Sequence, residues 1–181
     1  MGRLKLQMQI TVDGFNPAGR NGDLSWDEVR DYSRDLLDSA DTILLGSRTA
    51  PDFIPAWDKS AGDPNDSWHG IGKQISAARK IVFSKSTDHP AWPNTVVENG
   101  DLAEAVNRLK RHNDKDMIVY GGVAFVTSLV RLGLIDEYHL FMNPVAAGSG
   151  HSIFSGLESP QPLRLRKAIG MNSGHVLLHY E

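Results

Sequence analysis

The 181-residue chain contains no cysteine. That excludes disulfides, thiolate metal sites and a cysteine nucleophile, and it suits a cytoplasmic protein. No run of about 18 apolar residues occurs, so no membrane-spanning helix is expected. The N-terminal Met1-Gly-Arg-Leu-Lys-Leu-Gln7 alternates apolar and polar residues as a strand does, and it lacks the continuous apolar region of a signal peptide. Basic blocks are missing too. Lys110-Arg111 is too short to count, the net charge is −3 and both signs are mixed along the chain, so no nucleic-acid partner is expected. Three familiar site signatures are absent: Gly-x-Gly-x-x-Gly after a first strand, Gly-x-x-x-x-Gly-Lys-Ser/Thr, and the Gly-x-Ser-x-Gly elbow. Seven histidines are present, but they form no ligand set by spacing. His175 and His179 stand four apart in a strand pattern, which separates them by about 13 Å. No metal is expected.

What is there suits one globular domain spanning residues 1–181, with 40% apolar content. Leu4, Leu6, Met8 and Ile10 alternate, so residues 4–11 read as a half-buried strand. Residues 12–24 are a glycine- and proline-bearing loop. Ser25-Trp26-Asp27-Glu28 forms a capping box for a helix running to about Ala40, with Val29, Tyr32, Leu36 and Leu37 inward. Thr42–Leu45 is a short strand. A helix from Arg48 to about Trp57 is expected to be short or irregular because of Pro51 and Pro55. Residues 58–70 are polar and turn-rich and read as a surface excursion. Strands follow at 80–84 and 95–98. Asp101 and Glu104 cap a helix whose inner face is Leu102, Ala105 or Val106, and Leu109. From Met117 an apolar strand runs into Gly121-Gly122. A helix starts at once with Phe125, Leu129 and Leu132 at helical spacing, and Gly133 stops it. A strand at 137–143 comes next, then a hairpin of strands at 162–168 and 176–180 around Gly170–Gly174. Strands alternating with helices imply an α/β fold with a mostly parallel sheet covered on both faces, extended by the antiparallel hairpin.

In such a sheet ligands bind beyond the C-terminal strand ends. Three of these ends carry anion-seeking groups. Gly46-Ser47-Arg48-Thr49 offers a helix N-terminus, two hydroxyls and a guanidinium. Ser84-Lys85-Ser86 offers hydroxyls and a cation. Gly121-Gly122-Val123-Ala124 offers bare amides at a helix start. A phosphorylated dinucleotide fits this set, with Arg48 and Lys85 on its adenosine phosphates. Plainer alternatives stand beside each: a strand-to-helix turn with no ligand, an Arg48–Asp52 surface pair, and a solvated Lys85.

These blocks carry a resemblance. Tyr120-Gly121-Gly122 with its helix, Gly133-Leu-Ile-Asp136-Glu137-Tyr138, and Pro144-Val-Ala-Ala-Gly148-Ser-Gly150-His-Ser-Ile-Phe154 resemble the C-terminal half of the dihydrofolate-reductase-like superfamily. The nearest branch is the reductase domain of riboflavin biosynthesis. Thr11-Val12-Asp13-Gly14-Phe15, Leu44-Leu45-Gly46-Ser47-Arg48-Thr49 and Val82-Phe83-Ser84-Lys85-Ser86 resemble that branch's first strand, cofactor loop and adenosine-side turn. The resemblance implies a three-layer sandwich and NADPH as cofactor. It further implies a homodimer and hydride transfer to a small substrate, similar to 5-amino-6-(5-phosphoribosylamino)uracil reduction. Reduction of dihydrofolate, a pterin or another small carbonyl is the alternative, as is a non-catalytic NADPH-binding module. Asp13 stands where that branch carries an aspartate, either to hold a polar substrate or to order its own turn. Trp26 either closes over the nicotinamide or packs at the helix entrance. Asp31 is the best candidate on its helix for the carboxylate that holds a pterin, although Asp27, Asp31 and Asp35 read most simply as a solvated stripe. His151, in the glycine loop, is a further candidate for touching a ligand.

Overall fold

The computed structural model describes residues 1–17, 26–86 and 92–181, leaving out the side chains of Trp26 and Glu28. The Ser25 cap and the Trp26 ring therefore lie outside the described residues. The elements in chain order are β1 (Leu4–Thr11), α1 (Trp26–Asp38), β2 (Ala40–Gly46), α2 (Ala50–Gly62), α3 (His69–Ala77), β3 (Arg79–Phe83), β4 (Thr95–Glu98), α4 (Leu102–His112), β5 (Asp116–Val119), α5 (Val123–Arg131), β6 (Glu137–Asn143), β7 (Leu165–Gly170) and β8 (Val176–Tyr180). Among the described residues no helix is long and apolar enough to cross a membrane.

The strands form one sheet in the order β4-β3-β2-β5-β1-β6-β8-β7. Pairing is parallel from β4 to β6. It turns antiparallel at β6–β8 and β8–β7. On one face Leu4, Leu6, Met117, Val119, Tyr138 and Leu140 pack against Val106 and Leu109 of α4 and Val126 and Leu129 of α5. On the other, Ile43, Leu45 and Ile118 meet Leu36 and Leu37 of α1, Ile54 of α2, and Ile71 and Ile75 of α3. The result is three layers. β1 is accordingly buried on both faces, Lys5 and Gln7 included, rather than half-buried. Its alternation places apolar side chains on one buried face and polar ones, Lys5 and Gln7, on the other.

Two segments depart from the sequence pattern. α2 is neither short nor broken at Trp57; it runs 13 residues to Gly62. Pro51 sits in the first turn, where amides have no helical acceptor, so its missing N–H costs nothing. Pro55 removes one interior bond, which the burial of Ile54 helps to offset. Residues 58–70 are the end of α2, a turn and the start of α3. Asp63 accepts the amide of Asn65 and Asp66 that of Trp68, so the polar residues terminate helices locally. Gly72 makes the α2–α3 contact possible, since a Cβ there would stand 2.7 Å from the amide nitrogen of Ala61.

The remaining elements follow their local signals. Asp101 accepts the amide of Glu104 at 3.0 Å and caps α4. Gly133 ends α5 with φ of +62°. Leu132, expected on the inner face, is 51% exposed because α5 ends before it and it serves as the C-cap. The hairpin strand β7 begins at Leu165 and ends at Gly170.

Candidate functional site

The C-terminal rim of β2, β3 and β5 forms a cleft of about 490 Å³. Gly46, Ser47, Arg48 and Thr49 line one side, Gly122, Val123 and Ala124 the other, with Phe83 and Phe125 completing it. The two sides are tied together: Gly122 N donates to Thr49 Oγ1 at 2.8 Å. The Gly121–Gly122 peptide is cis. Two helix N-termini, those of α2 and α5, therefore meet at one cleft. Thr49 and Gly122 are the N-caps, and neither makes a side-chain cap bond. The first-turn amides of α5 lack intrahelical acceptors, and the positive end of the helix faces this region. Arg48 is exposed at the edge, and among the described residues no ion pair joins it to Asp52.

Ser84, Lys85 and Ser86 follow Phe83 but do not line this cleft. Ser84 N bonds to Glu98 O, so the chain still follows β4, away from β2. The Lys85 ammonium donates to the carbonyls of Asn99 and Gly100 at 3.1 and 2.9 Å. The Ser86 amide turns back onto Ser84 Oγ. The third loop expected at a shared cleft is thus beside it, with its cation committed to the end of β4.

A second cavity of about 430 Å³ lies between the sheet and α1–α3. α2 is the shared wall: Thr49 borders the first cleft, while Phe53 and Trp57 face the second. Tyr120 lines the second and Gly122 the first, so the diglycine turn separates them. Tyr120 stacks on Phe53 with centroids 5.6 Å apart, and Trp57 meets Trp68 edge-on at 5.8 Å. Gln7, Gln9 and Ser33 supply polar groups. Burial drives the Tyr120 hydroxyl well above the usual phenol range, so it stays protonated. Of these residues only Tyr120 belongs to a candidate-site motif of the sequence, Tyr120-Gly121-Gly122, which assigns it no role in a cavity. The set comes from β1, α1 and α2, from Trp68 just before α3 and from Tyr120 just after β5, so no local pattern joins it.

Asp13 sits at the tip following β1. Its Oδ1 accepts from Thr11 Oγ1 at 2.5 Å and Ala147 N at 3.0 Å, and its Oδ2 from Gly148 N at 2.7 Å. The Thr11 hydroxyl and the Ala147 and Gly148 amides hold the carboxyl down at about 2. Asp13 orders two loops, with each of its oxygens accepting from the protein. His151 belongs to the same loop pair, its carbonyl accepting the amide of Asn16, and its side chain is exposed. Asp31, weighed as a pterin-holding carboxylate, faces solvent and pairs with Arg34 at 3.1 Å. Asp27 and Asp35 are exposed with it, as a solvated stripe. The helix phase turns Val29 and Ser33 to the cavity instead.

At the opposite, N-terminal end of the sheet, Glu137, His139 and His179 offer an oxygen and two nitrogens within 4.8 Å of one another. Spacing in one strand suggested no histidine set; pairing of His139 with His179 across β6–β8 brings one together. Burial opposes the ionised Glu137, but His139, Lys5 and Arg3 outweigh it and hold the carboxyl at about 2. Arg3 lies 2.8 Å from Glu137 Oε1, and Glu137 Oε2 lies 3.0 Å from each histidine Nε2. Burial, with Glu137 and Asp35 nearby, pushes Tyr32 up to about 12. Its hydroxyl is therefore protonated and lies 2.7 Å from His139 Nδ1, while His139 Nε2 faces Glu137. The carboxylate's charge is met within the protein.

Comparison with known proteins agrees with this architecture. The family described as RibD C-terminal domain matches residues 3–177. YyaP, an uncharacterised protein of Bacillus subtilis (strain 168), is 32% identical over 181 residues, covering 98% of this chain and 94% of its own. The riboflavin biosynthesis protein RibD of Corynebacterium ammoniagenes is 23% identical over 153 residues; the match covers 83% of this chain but 45% of that protein. Among solved structures, a putative riboflavin biosynthesis protein from Shewanella sp. PV-4 superimposes with a TM-score of 0.67 at 17% identity, covering 99% of this chain and 98% of the other. A deaminase/5-amino-6-(5-phosphoribosylamino)uracil reductase from Thermotoga maritima gives 0.69 at 18% identity, covering 99% of this chain and 56% of that one. The fold is that of the dihydrofolate-reductase-like superfamily.

Proposed function

The chain belongs to the RibD C-terminal domain family, and on that footing we propose that it is an NADPH-dependent reductase of a small substrate. The observation that carries this reading is the meeting of two helix N-termini and Arg48 at one cleft, with an aromatic cavity on the other side of the diglycine turn. The residues present fit the cofactor. The amides of Val123 and Ala124 and the Gly46–Thr49 loop suit a pyrophosphate, and Arg48 suits the further phosphate of the adenosine end. Nothing lies within 4 Å of where a Cβ would stand at Gly121, so a ring can approach the main chain there.

When bound, NADPH supplies the hydride. The chain's own part is positioning and exclusion of water. Phe53, Trp57 and Tyr120 would hold an electron-poor C=N or C=O carbon beside the turn. Asp13 would keep the two loops at the rim in register. In this reading the proton comes from water. The names of relatives make a 5-amino-6-(5-phosphoribosylamino)uracil-like compound the first substrate to try, with pterins and small carbonyls after it. A single domain acting as a cytoplasmic homodimer belongs to the same proposal.

The test is a fluorescence titration with NADPH and NADH, followed by the 340 nm absorbance decay with each substrate. Cofactor binding with turnover supports the reductase. Binding without turnover on any pyrimidine, pterin or carbonyl tried favours a non-catalytic binding module. Failure to bind either dinucleotide removes the reading.

A further inference from the structure

We propose that the aromatic cavity takes an uncharged, flat, nitrogen-bearing ring that carries no phosphate, and that Gln7 recognises it by accepting a ring N–H. The inference rests on the reductase reading above and narrows its substrate.

The orientation of Gln7 follows from its neighbours. Ser33 Oγ donates to Val29 O at 2.7 Å, which uses its only hydrogen. Toward Gln7, 2.5 Å away, Ser33 can then only accept, so the Gln7 amide nitrogen faces it. That leaves Oε1 as the free end. Gln7 is 8% exposed, and Oε1 is buried with no hydrogen-bond partner among the described residues. The Tyr120 hydroxyl is in the same condition. Both residues line the cavity. Both atoms are buried at the cavity wall, and an orphaned buried acceptor and hydroxyl are unfavourable; each is relieved when its side chain turns to meet a ligand that offers N–H and a complementary polar edge. Cyclic amides and ureides present such an edge on a flat ring, which suits a slot walled by Phe53, Trp57 and Tyr120.

Charge argues against a phosphate in the same place. No lysine, arginine or histidine lines the cavity among the described residues. Arg48 lies in the other cleft, beyond the N-terminal turn of α2. A phosphate ester taken into this slot would lose its water without gaining a cation. Of the compounds that the relatives' names suggest, the ring thus suits the described lining of this slot better than the phosphate does.

The test is calorimetry on the protein saturated with NADPH, using lumazine and the matched pair uridine and uridine 5′-monophosphate. Lumazine or uridine should bind, and the monophosphate at least about tenfold more weakly than uridine. Equal or tighter binding of the monophosphate overturns the inference. So does failure of both uncharged rings to bind while NADPH still does, and that outcome spares the cofactor reading. Failure of NADPH itself removes the reading beneath. Gln7→Met should lower ring affinity at least about tenfold and leave the NADPH titration unchanged. Should Gln7→Met not fold, Tyr120→Phe serves, because removing an orphaned hydroxyl should raise the thermal midpoint while weakening ring binding. Unchanged ring affinity in the folded variants would remove these two residues from recognition.

Discussion

Gly122→Ala probes the cleft at the point where its two sides join. Gly122 has φ of −74° and ψ of 171°, which alanine adopts freely, so these two angles impose no penalty. The consequence lies in the added Cβ, which would stand 2.8 Å from Thr49 Oγ1. The hydroxyl must move, and the bond it accepts from Gly122 N is lost. A neutral hydrogen bond of this kind contributes about 1 kcal/mol net. Thr49→Ala removes the same bond without a clash and should cost about as much. In the double variant the Cβ meets no hydroxyl, so its cost should equal that of Thr49→Ala alone, where independent effects would give about 2 kcal/mol. The coupling of about 1 kcal/mol exceeds the roughly 0.5 kcal/mol scatter of non-interacting pairs. Urea unfolding at constant m measures it, and each single variant should lower the thermal midpoint by roughly 2–4 °C. Purely additive losses would refute the proposition that the Thr49 hydroxyl clasps the diglycine turn.

Other perturbations separate the remaining roles. Arg48→Ala should weaken NADPH by about tenfold or more and NADH much less, as read by fluorescence titration; equal weakening would mean the guanidinium does not grip the extra phosphate. Glu137 is held at about 2 against an ordinary 4.5, so its stabilisation is complete above about pH 4.5 and is lost as pH falls toward 2. Screening through Arg3, whose side chain is 44% exposed, limits that loss to about 2 kcal/mol. Urea midpoints from pH 5 to 2.5 should therefore fall more steeply in the wild type than in Glu137→Gln, and parallel curves would contradict the assignment. Asp13→Asn replaces one carboxylate oxygen by a donor. Hydrogen exchange at Ala147 or Gly148 should quicken, and unchanged protection at both would show that Asp13 does not hold the loop.

The sequence displayed its sheet more clearly than its cavity. Leu4, Leu6, Met8 and Ile10 marked β1, and Asp101 with Glu104 marked the start of α4, because strand alternation and helix capping act within a few residues. Gly121-Gly122 and Gly133 bracketed α5 for the same reason. α2 was harder to read, since Pro51 and Pro55 signal a break that first-turn placement and the burial of Ile54 override. Gln7 looked like the solvent side of a half-buried strand until α1 covered it. Asp31 and Ser33 differ by two positions on α1, enough to turn one to solvent and the other to the cavity, and no local signal says which face the sheet lies against. Lys85 was read by its charge, whereas its ammonium is directed by carbonyls at the end of a strand fifteen residues away. The pairing of His139 with His179 depends on strand register, which spacing within one strand does not express.

The two ends of β1 divide the work. At its start, charges are gathered: Lys5 binds Asp116 at 2.7 Å, and Arg3 and His139 bind Glu137, where they fasten β5, β6 and the chain's beginning together. At the other end the cleft relies on main-chain amides and one exposed guanidinium, and the cavity beside it on neutral side chains. A parallel sheet makes this arrangement natural, because every helix N-terminus that follows a strand opens at the same rim and presents oriented dipoles there without requiring an ionisable group. The field at the diglycine turn then comes from fixed dipoles, whose strength does not titrate. Charge-removing substitutions at the start of β1 should accordingly lower stability while leaving dinucleotide affinity unchanged, and substitutions at Gly122 should change affinity across the whole pH range. If Glu137→Gln altered NADPH affinity, the two ends would be coupled through β1 itself, and their independence would have to be abandoned.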